Sequence, residues 1–324
     1  MDYVAGIDLG GTKIYSALAD LDGNILCESK VPTESWRGYE GVVERMAAAI
    51  RDLQREARLV HHGRLLAVGV GAPGPLDSNT GVVYQAPNLG WRDVPLGKNL
   101  ESLLATPVFV ENDANLGALG EHAFGAGRGS RDMVYVTVST GIGGGLILDG
   151  HLYRGAGMGA GEIGHMTVLS DGPRCRCGNK GCLEAVASGT AIARRARREA
   201  GAGTAPVILE LAGGDPGKIT AVTVAEAASR GDERALDILT GAARFIGIGL
   251  ANLVNLLNPS VIVLGGGVME SGRLFWQVMD EEMRERALER ACQTVRLVPT
   301  ALGPRVGVVG AIALALQRAR DGQD

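Results

Sequence analysis

Between Gly161 and Glu184 the chain reads GEIGHMTVLSDGPRCRCGNKGCLE, which spaces His165, Cys175, Cys177 and Cys182 as H-x9-C-x-C-x4-C. Three thiolates and one imidazole are a common closed ligand set for tetrahedral Zn²⁺. Four protein ligands leave no position for a water, so the metal such a set holds is structural. Sites of this kind contribute on the order of 10 kcal/mol to local folding. The competing reading is a group of inert core cysteines. Those sit in apolar surroundings, whereas this stretch is rich in Gly, Lys and Arg. Gly178 and Gly181 allow the sharp turns that three converging thiolates need. Glu162 and Glu184 flank the ligands. Either is an ordinary surface charge or cap by itself, but both adjoin backbone that a bound metal would fix.

Three glycine turns suit phosphate. In Asp8-Leu9-Gly10-Gly11-Thr12-Lys13, the glycines let backbone N–H groups approach anionic oxygens, and Thr12 and Lys13 add a hydroxyl and a charge. Asp8, at a strand end, is suited to hold Mg²⁺ through water. By itself Gly-Gly is also a common hairpin turn. A P-loop is excluded, because the Gly-Lys-Ser/Thr signature and its following helix are missing. The second turn runs from Ser139 and Thr140 through Gly141, Ile142, Gly143 and Gly144 to Gly145. The third is Gly265-Gly266-Gly267. Three such turns, each after an apolar strand, form a pattern expected of a nucleotide cradle.

A proton acceptor is available in Glu111-Asn112-Asp113-Ala114-Asn115, where a strand runs into a helix. Asp113 there is sufficiently explained as a helix N-cap. Its polar neighbours at the carboxyl end of a strand favour a site instead, since open α/β sheets place ligands there. A carboxylate so placed can take the proton of an attacking hydroxyl, an effect of about 10²–10⁴ in rate.

The elements that would position these groups follow from periodicity. Strands are expected at Tyr3–Asp8, Lys13–Ala19, Gly23–Lys30, Leu65–Gly71 and Val108–Val110, with an amphipathic helix at Tyr39–Ala57. The pattern restarts with strands at Met133–Val138 and Gly145–Asp149. Helices follow at Thr190–Ala200, Thr223–Arg230 (Thr223 and Glu226 as a capping box) and Asp232–Leu257. Val261–Leu264 is a buried strand and Gly307–Gln317 a terminal helix, while Gly201–Lys218 reads as a surface loop. Two βα halves, each with a glycine-rich turn, imply an α/β protein of two lobes with a cleft between them. The small lobe spans 1–112, with 305–324 packing back on it, and the large lobe spans 113–304 and carries the zinc motif.

Composition agrees. The 324 residues are 46% hydrophobic but only 4% aromatic, so the core is aliphatic. A net charge of −4 argues against nucleic acid and anionic membranes as partners. The apolar run from Phe245 to Leu264 is interrupted by Asn252, Asn255, Asn258 and Pro259, which reads as a buried helix and strand. Met1 leads straight into a strand without a signal peptide, and five cysteines, three of them clustered, fit a reducing compartment. A cytoplasmic protein is expected, with Cys27 and Cys292 as core residues.

Taken together the motifs resemble the ROK sugar kinases (repressor, open reading frame, kinase) of the actin-like, ribonuclease H-like ATPase superfamily. The matching pieces are DLGGTK at 8–13, APGP at 72–75, PN at 87–88, ENDAN at 111–115, STGIGGG at 139–145, GEIGH at 161–165, CRCGNKGCLE at 175–184 and GGG at 265–267. GVVYQAPNLGW at 81–91 is most similar to the bacterial ATP-dependent glucokinases. The resemblance implies phosphorylation of the 6-hydroxyl of glucose by ATP and Mg²⁺, with Asp113 as general base. It implies that Asn88, Asn112, Asp113, Glu162, His165 and Glu184 hold the sugar, His165 through one ring nitrogen while the other binds zinc. It gives Asp8, Gly10, Gly11, Thr12, Lys13, Thr140, Gly141, Gly143 and Gly144 to the phosphates and Gly265, Gly266 and Gly267 to adenosine. Ser139 departs from the glycine many relatives carry. A homodimer or homotetramer is implied as well.

Fructose, N-acetylmannosamine or N-acetylglucosamine as the sugar, and polyphosphate as the donor, are the neighbouring alternatives. Sequence shows no basic track for a polyphosphate chain. A sugar-responsive repressor of this family carries a winged-helix segment before the first glycine turn, and only seven residues precede Asp8.

Overall fold

The computed structural model describes residues 2–61 and 63–321. The chain forms two compact units. Unit 1 comprises Met1–Gly129, Gly145–Ala160 and Thr300–Asp324, and unit 2 comprises Ser130–Gly144 and Gly161–Pro299.

The chain enters unit 1 as β1 (Tyr3–Leu9), β2 (Lys13–Asp20), β3 (Ile25–Pro32), α1 (Gly38–His61), β4 (Leu65–Ala72), β5 (Leu76–Asp77), β6 (Val82–Ala86), β7 (Trp91–Val94), α2 (Leu96–Leu104), β8 (Val108–Asn112) and α3 (Asp113–Phe124). One sheet has the order β3-β2-β1-β4-β8, and β5-β6-β7 form a small antiparallel sheet of their own. It then makes β9 (Met133–Val138) and β10 (Ile142–Leu148), and the division between units falls inside β10, after Gly144. In unit 1, β11 (His151–Tyr153) pairs antiparallel with the end of β10.

Unit 2 continues with α4 (Leu183–Ala187), α5 (Gly189–Gly201), α6 (Pro206–Leu211), α7 (Ala221–Ser229), α8 (Glu233–Leu257), β12 (Val261–Gly265), α9 (Arg273–Arg286), α10 (Glu289–Cys292) and β13 (Arg296–Pro299). There β12 lies between β9 and β13, parallel to both. By length and composition α8 is the one described helix that could cross a membrane, but 61% of its apolar window is buried inside the protein. The last helix, α11 (Val306–Asp321), returns to unit 1.

Alternation along β1 explains much of unit 1. Tyr3, Ala5, Ile7 and Leu9 point to the face that Val42, Met46 and Ile50 of α1 cover. Val4 points to the opposite face, where Val308, Ile312 and Ala315 of α11 pack. Both faces are covered, so the strand is apolar almost throughout rather than alternating. On the α11 face, a Cβ at Gly6 would stand 2.6 Å from the Val308 carbonyl oxygen, and one at Gly69 would overlap that of Ala311. Glycine therefore lets the helix lie directly on the sheet. Asp8 has the same parity as Val4 and Gly6, so it faces the start of α11.

Several details differ from what the sequence implies. α3 belongs to unit 1, where Gly310 of α11 is pressed on the Leu116 carbonyl and a Cβ on Gly120 would meet Gly310 at 3.0 Å, so the first division comes after Gly129 rather than 112. Gly145–Ala160 falls in unit 1 rather than with the large lobe, and the last division comes at Thr300 rather than 305. Gly201–Lys218 is not all loop: Pro206 opens α6 at a position where its missing N–H costs nothing. The capping box of α7 is Thr220 with Thr223, not Thr223 with Glu226. The strand expected at Gly145–Asp149 begins earlier, at Ile142.

Candidate active site

In unit 1, β8 delivers Glu111-Asn112-Asp113 to the start of α3. The cap is Asn112: its Oδ1 accepts from the Ala114 N–H at 2.9 Å and the Asn115 N–H at 3.3 Å. Asp113 is the first helical residue, is exposed, and accepts from the Ala114 N–H at 2.8 Å. The helix start therefore already has its cap without Asp113. Beneath it Glu111 is fully buried. Its Oε1 accepts from Ser78 Oγ, the Asn112 N–H and Asn115 Nδ2, each at 3.0 Å, and its Oε2 from Arg154 Nε at 2.6 Å.

The first glycine turn is closed by the Gly10 N–H donating to the Lys13 carbonyl at 3.0 Å, while Thr33 Oγ1 donates to the Gly10 carbonyl at 2.7 Å. Asn88 stands beside it, since a Cβ on Gly11 would lie 3.1 Å from Asn88 Nδ2. Thr12 and Lys13 are exposed at the tip. Asp8 lies against α11, where a Cβ on Gly307 would be 2.6 Å from its Cγ. Burial raises the Asp8 carboxyl above the ordinary aspartate value, and the nearby Lys13 charge opposes the rise.

In unit 2, His165, Cys175, Cys177 and Cys182 place one ligand atom each within 4.8 Å of one another. Cys175 Sγ is 3.7 Å from His165 Nδ1, and Cys177 Sγ is 3.7 Å from Cys182 Sγ. Gly178 and Gly181, both at positive φ, turn the loop, and a Cβ on Gly181 would overlap the Leu169 carbonyl. Burial and the two neighbouring thiols push the Cys182 thiol up to about 12. A cation is what lets a crowded, buried sulfur such as that of Cys182 ionise beside exposed Cys177, so the set fits a thiophilic divalent metal. His165 Nε2 remains on the other side of the ring, 3.8 Å from Glu162 Oε2.

The second turn is tighter than its sequence suggests. Gly143 and Gly144 lie in β10, and a Cβ on buried Gly144 would collide with the Ile163 side chain. The turn proper is Ser139-Thr140-Gly141. Glu184 Oε2 accepts the Ile142 N–H at 3.0 Å and touches the position a Cβ on Gly141 would take. In the third turn Gly265 ends β12 and Gly266 has φ 90, with any Cβ driven onto Val138 backbone. Gly267 is open.

Ser139, Thr140 and Gly267 line one cavity of about 590 Å³ within unit 2. Its other walls come from Gly189, Thr190, Ala193 and Arg197 of α5, from Thr220–Val222 and Ala225, and from Val268, Glu270 and Ser271. Arg197 fixes one wall by donating from Nε and Nη2 to the Ile219 carbonyl at 3.0 and 2.7 Å. The second and third turns are thus brought together. Sequence reasoning missed the α5 and α7 walls; Ser188, capping α5 just before Gly189-Thr190, was the available signal.

Comparison with known proteins gives a consistent picture. The family model described as "ROK family" matches residues 4–318. A glucokinase from Streptomyces coelicolor is 38% identical over 97% of this chain and 98% of its own length. The crystal structure of a ROK hexokinase from Thermus thermophilus superposes with a TM-score of 0.85 at 39% identity, covering 99% of this chain and 100% of that one. A ROK family glucokinase from Streptomyces griseus, in complex with glucose and AMPPNP, gives 0.80 at 39% identity, covering 97% and 99%.

Proposed function

The chain belongs to the ROK family, and from that membership we propose that it transfers the γ-phosphoryl group of ATP to the 6-hydroxyl of glucose. The observation that carries this reading is the convergence of Ser139-Thr140 and Gly267 on one cavity large enough for a nucleoside. The likeness to a glucokinase that binds both glucose and an ATP analogue supports the choice of both substrates. A cytoplasmic location and a homo-oligomeric state accompany the reading.

In this mechanism Asp113, exposed at the end of β8, takes the proton of the sugar 6-hydroxyl. The freed oxygen bonds to the γ-phosphorus, and the bond to the bridging oxygen breaks, giving glucose 6-phosphate and ADP. Asn112 caps through its oxygen, which leaves its amide N–H groups to donate to the sugar. Asn88, Glu162, His165 and Glu184 hold further hydroxyls, and the Nδ1 side of His165 is steadied by the metal set. Zn²⁺ there is structural. Gly10, Gly11, Thr12, Lys13, Thr140 and Gly141 orient the phosphates, and Gly266 and Gly267 face adenosine. Mg²⁺, when bound near Asp8, supplies charge neutralisation for the transferring group.

An ATP-coupled assay over a hexose panel, with polyphosphate as a second donor, tests the reading. Turnover of glucose with ATP well above that of fructose, N-acetylmannosamine and N-acetylglucosamine is expected. Phosphorylation of none of these sugars would remove it.

A further inference from the structure

The zinc-type loop is built into the second glycine turn from two sides. Gly164, next to His165, lies so close to the Ile142 carbonyl that no Cβ fits between them. Glu184 stands two residues after Cys182, in the first turn of α4, and its Oε2 accepts the Ile142 N–H at 3.0 Å. The same oxygen occupies the space a Gly141 side chain would need. The turn's remaining carbonyls are fixed by α5, with the Gly189 N–H on Ser139 at 2.8 Å and Thr190 Oγ1 on Thr140 at 2.8 Å. One bond of this set comes from a side chain next to the metal ligands, and it satisfies an N–H that would otherwise be left to water or to phosphate.

We propose that Glu184 is a positioning residue for the nucleotide: its carboxylate sets the shape of the Ser139–Ile142 turn, so that the metal-bound loop supports ATP binding as well as the sugar. This rests on the kinase reading above. Because the bond to Ile142 exists in the protein alone, its effect on nucleotide affinity needs no sugar present.

The test uses the full chain with zinc content verified, and titrates AMPPNP calorimetrically without sugar. Gln keeps an oxygen at the same reach without the charge, whereas Asp keeps the charge without the reach. Glu184→Gln is therefore expected to bind AMPPNP within about twofold of wild type, while Glu184→Asp and Glu184→Ala weaken it about tenfold, the scale of one net hydrogen bond. Gly141→Ala, which crowds the carboxylate, should weaken binding less in the Glu184→Ala background than in wild type. Unchanged AMPPNP affinity in the zinc-loaded Asp and Ala variants overturns the proposal, and so does equal weakening in Asp and Gln. If Ala fails to fold, the Asp–Gln pair still decides. A wild-type chain that binds AMPPNP with none of these differences sinks this inference alone, whereas one that binds no adenine nucleotide sinks the kinase reading with it.

Discussion

Arg154 Nε and Glu111 Oε2 stand 2.6 Å apart, and the Glu111 side chain is 2% exposed. The other carboxylate oxygen gathers Ser78, Asn115 and the Asn112 backbone, so one buried acid ties β8 to the segment after β5, to α3 and to β11's neighbour. Removing the acid would take the acceptor from a guanidinium and three further donors. Glu111→Ala should lose about 2 kcal/mol of stability, mainly from the donors left unsatisfied around the buried carboxylate, since the Arg154 side chain is 24% exposed and can meet water. Urea denaturation reads this as a lower midpoint, and a loss below about 1 kcal/mol would mean that water replaces the carboxylate.

Asp113 makes the opposite prediction, because Asn112 already caps α3. Asp113→Asn should cost less stability than Glu111→Ala, about 1 kcal/mol or less, because Asn112 keeps the cap and asparagine keeps an oxygen for the Ala114 N–H. Turnover should fall by about 10²–10⁴ while glucose binding persists. Calorimetry with glucose beside the coupled assay separates the two. A variant with substantial turnover would remove Asp113 as the base.

What the sequence made legible was whatever depends on residue type at short spacing. The metal set lies within one loop, and each glycine turn is contiguous, so these candidate residues stand out before any fold. Met133–Val138 was read at its true bounds because a buried strand is a bare apolar run. The illegible part was assembled from distance. The Glu184–Ile142 bond joins residues 42 apart, and although each lies in a motif, nothing local pairs one with the other. The cavity walls from α5 and α7 use ordinary alanines, threonines and one arginine, whose role comes only from where helix packing sets them. Asn112 and Asp113 are both good caps in isolation, and strand register, not residue type, decides between them. The small sheet of β5, β6 and β7 escaped because its strands are too short to show a period.

His165 couples the metal set to the proposed sugar contacts, since Nδ1 faces Cys175 and Nε2 faces Glu162. Cys177→Ser replaces the exposed ligand with a weak one. Zinc content and glucose affinity should fall together, the latter about tenfold, in line with losses seen when the support of a metal-held histidine is disturbed. Elemental analysis paired with glucose titration checks it. Zinc-free protein with wild-type glucose affinity would break the link.

Asp8 gives a prediction in pH. Burial against α11 raises its carboxyl above the ordinary value of 3.8, with Lys13 as the smaller, opposing influence. A raised native value means that the folded protein holds this proton more tightly than the unfolded chain does. The group's favourable contribution is thus present below the ordinary aspartate range and is lost as pH rises through the raised one. At neutral pH the carboxylate is a net cost to folding in the absence of a cation. Asp8→Asn keeps the size and removes the charge, so the metal-free variant should melt above wild type at neutral pH. That advantage should shrink as pH falls and disappear below pH about 3, where the wild-type carboxyl is protonated in both states. Phosphoryl transfer should meanwhile drop sharply, because the amide no longer attracts a cation to the phosphates. Melting curves at stepped pH, taken in chelator, test the first part. A variant that melts below wild type at neutral pH, or by an amount independent of pH, would show that the Lys13 charge, rather than burial, governs Asp8.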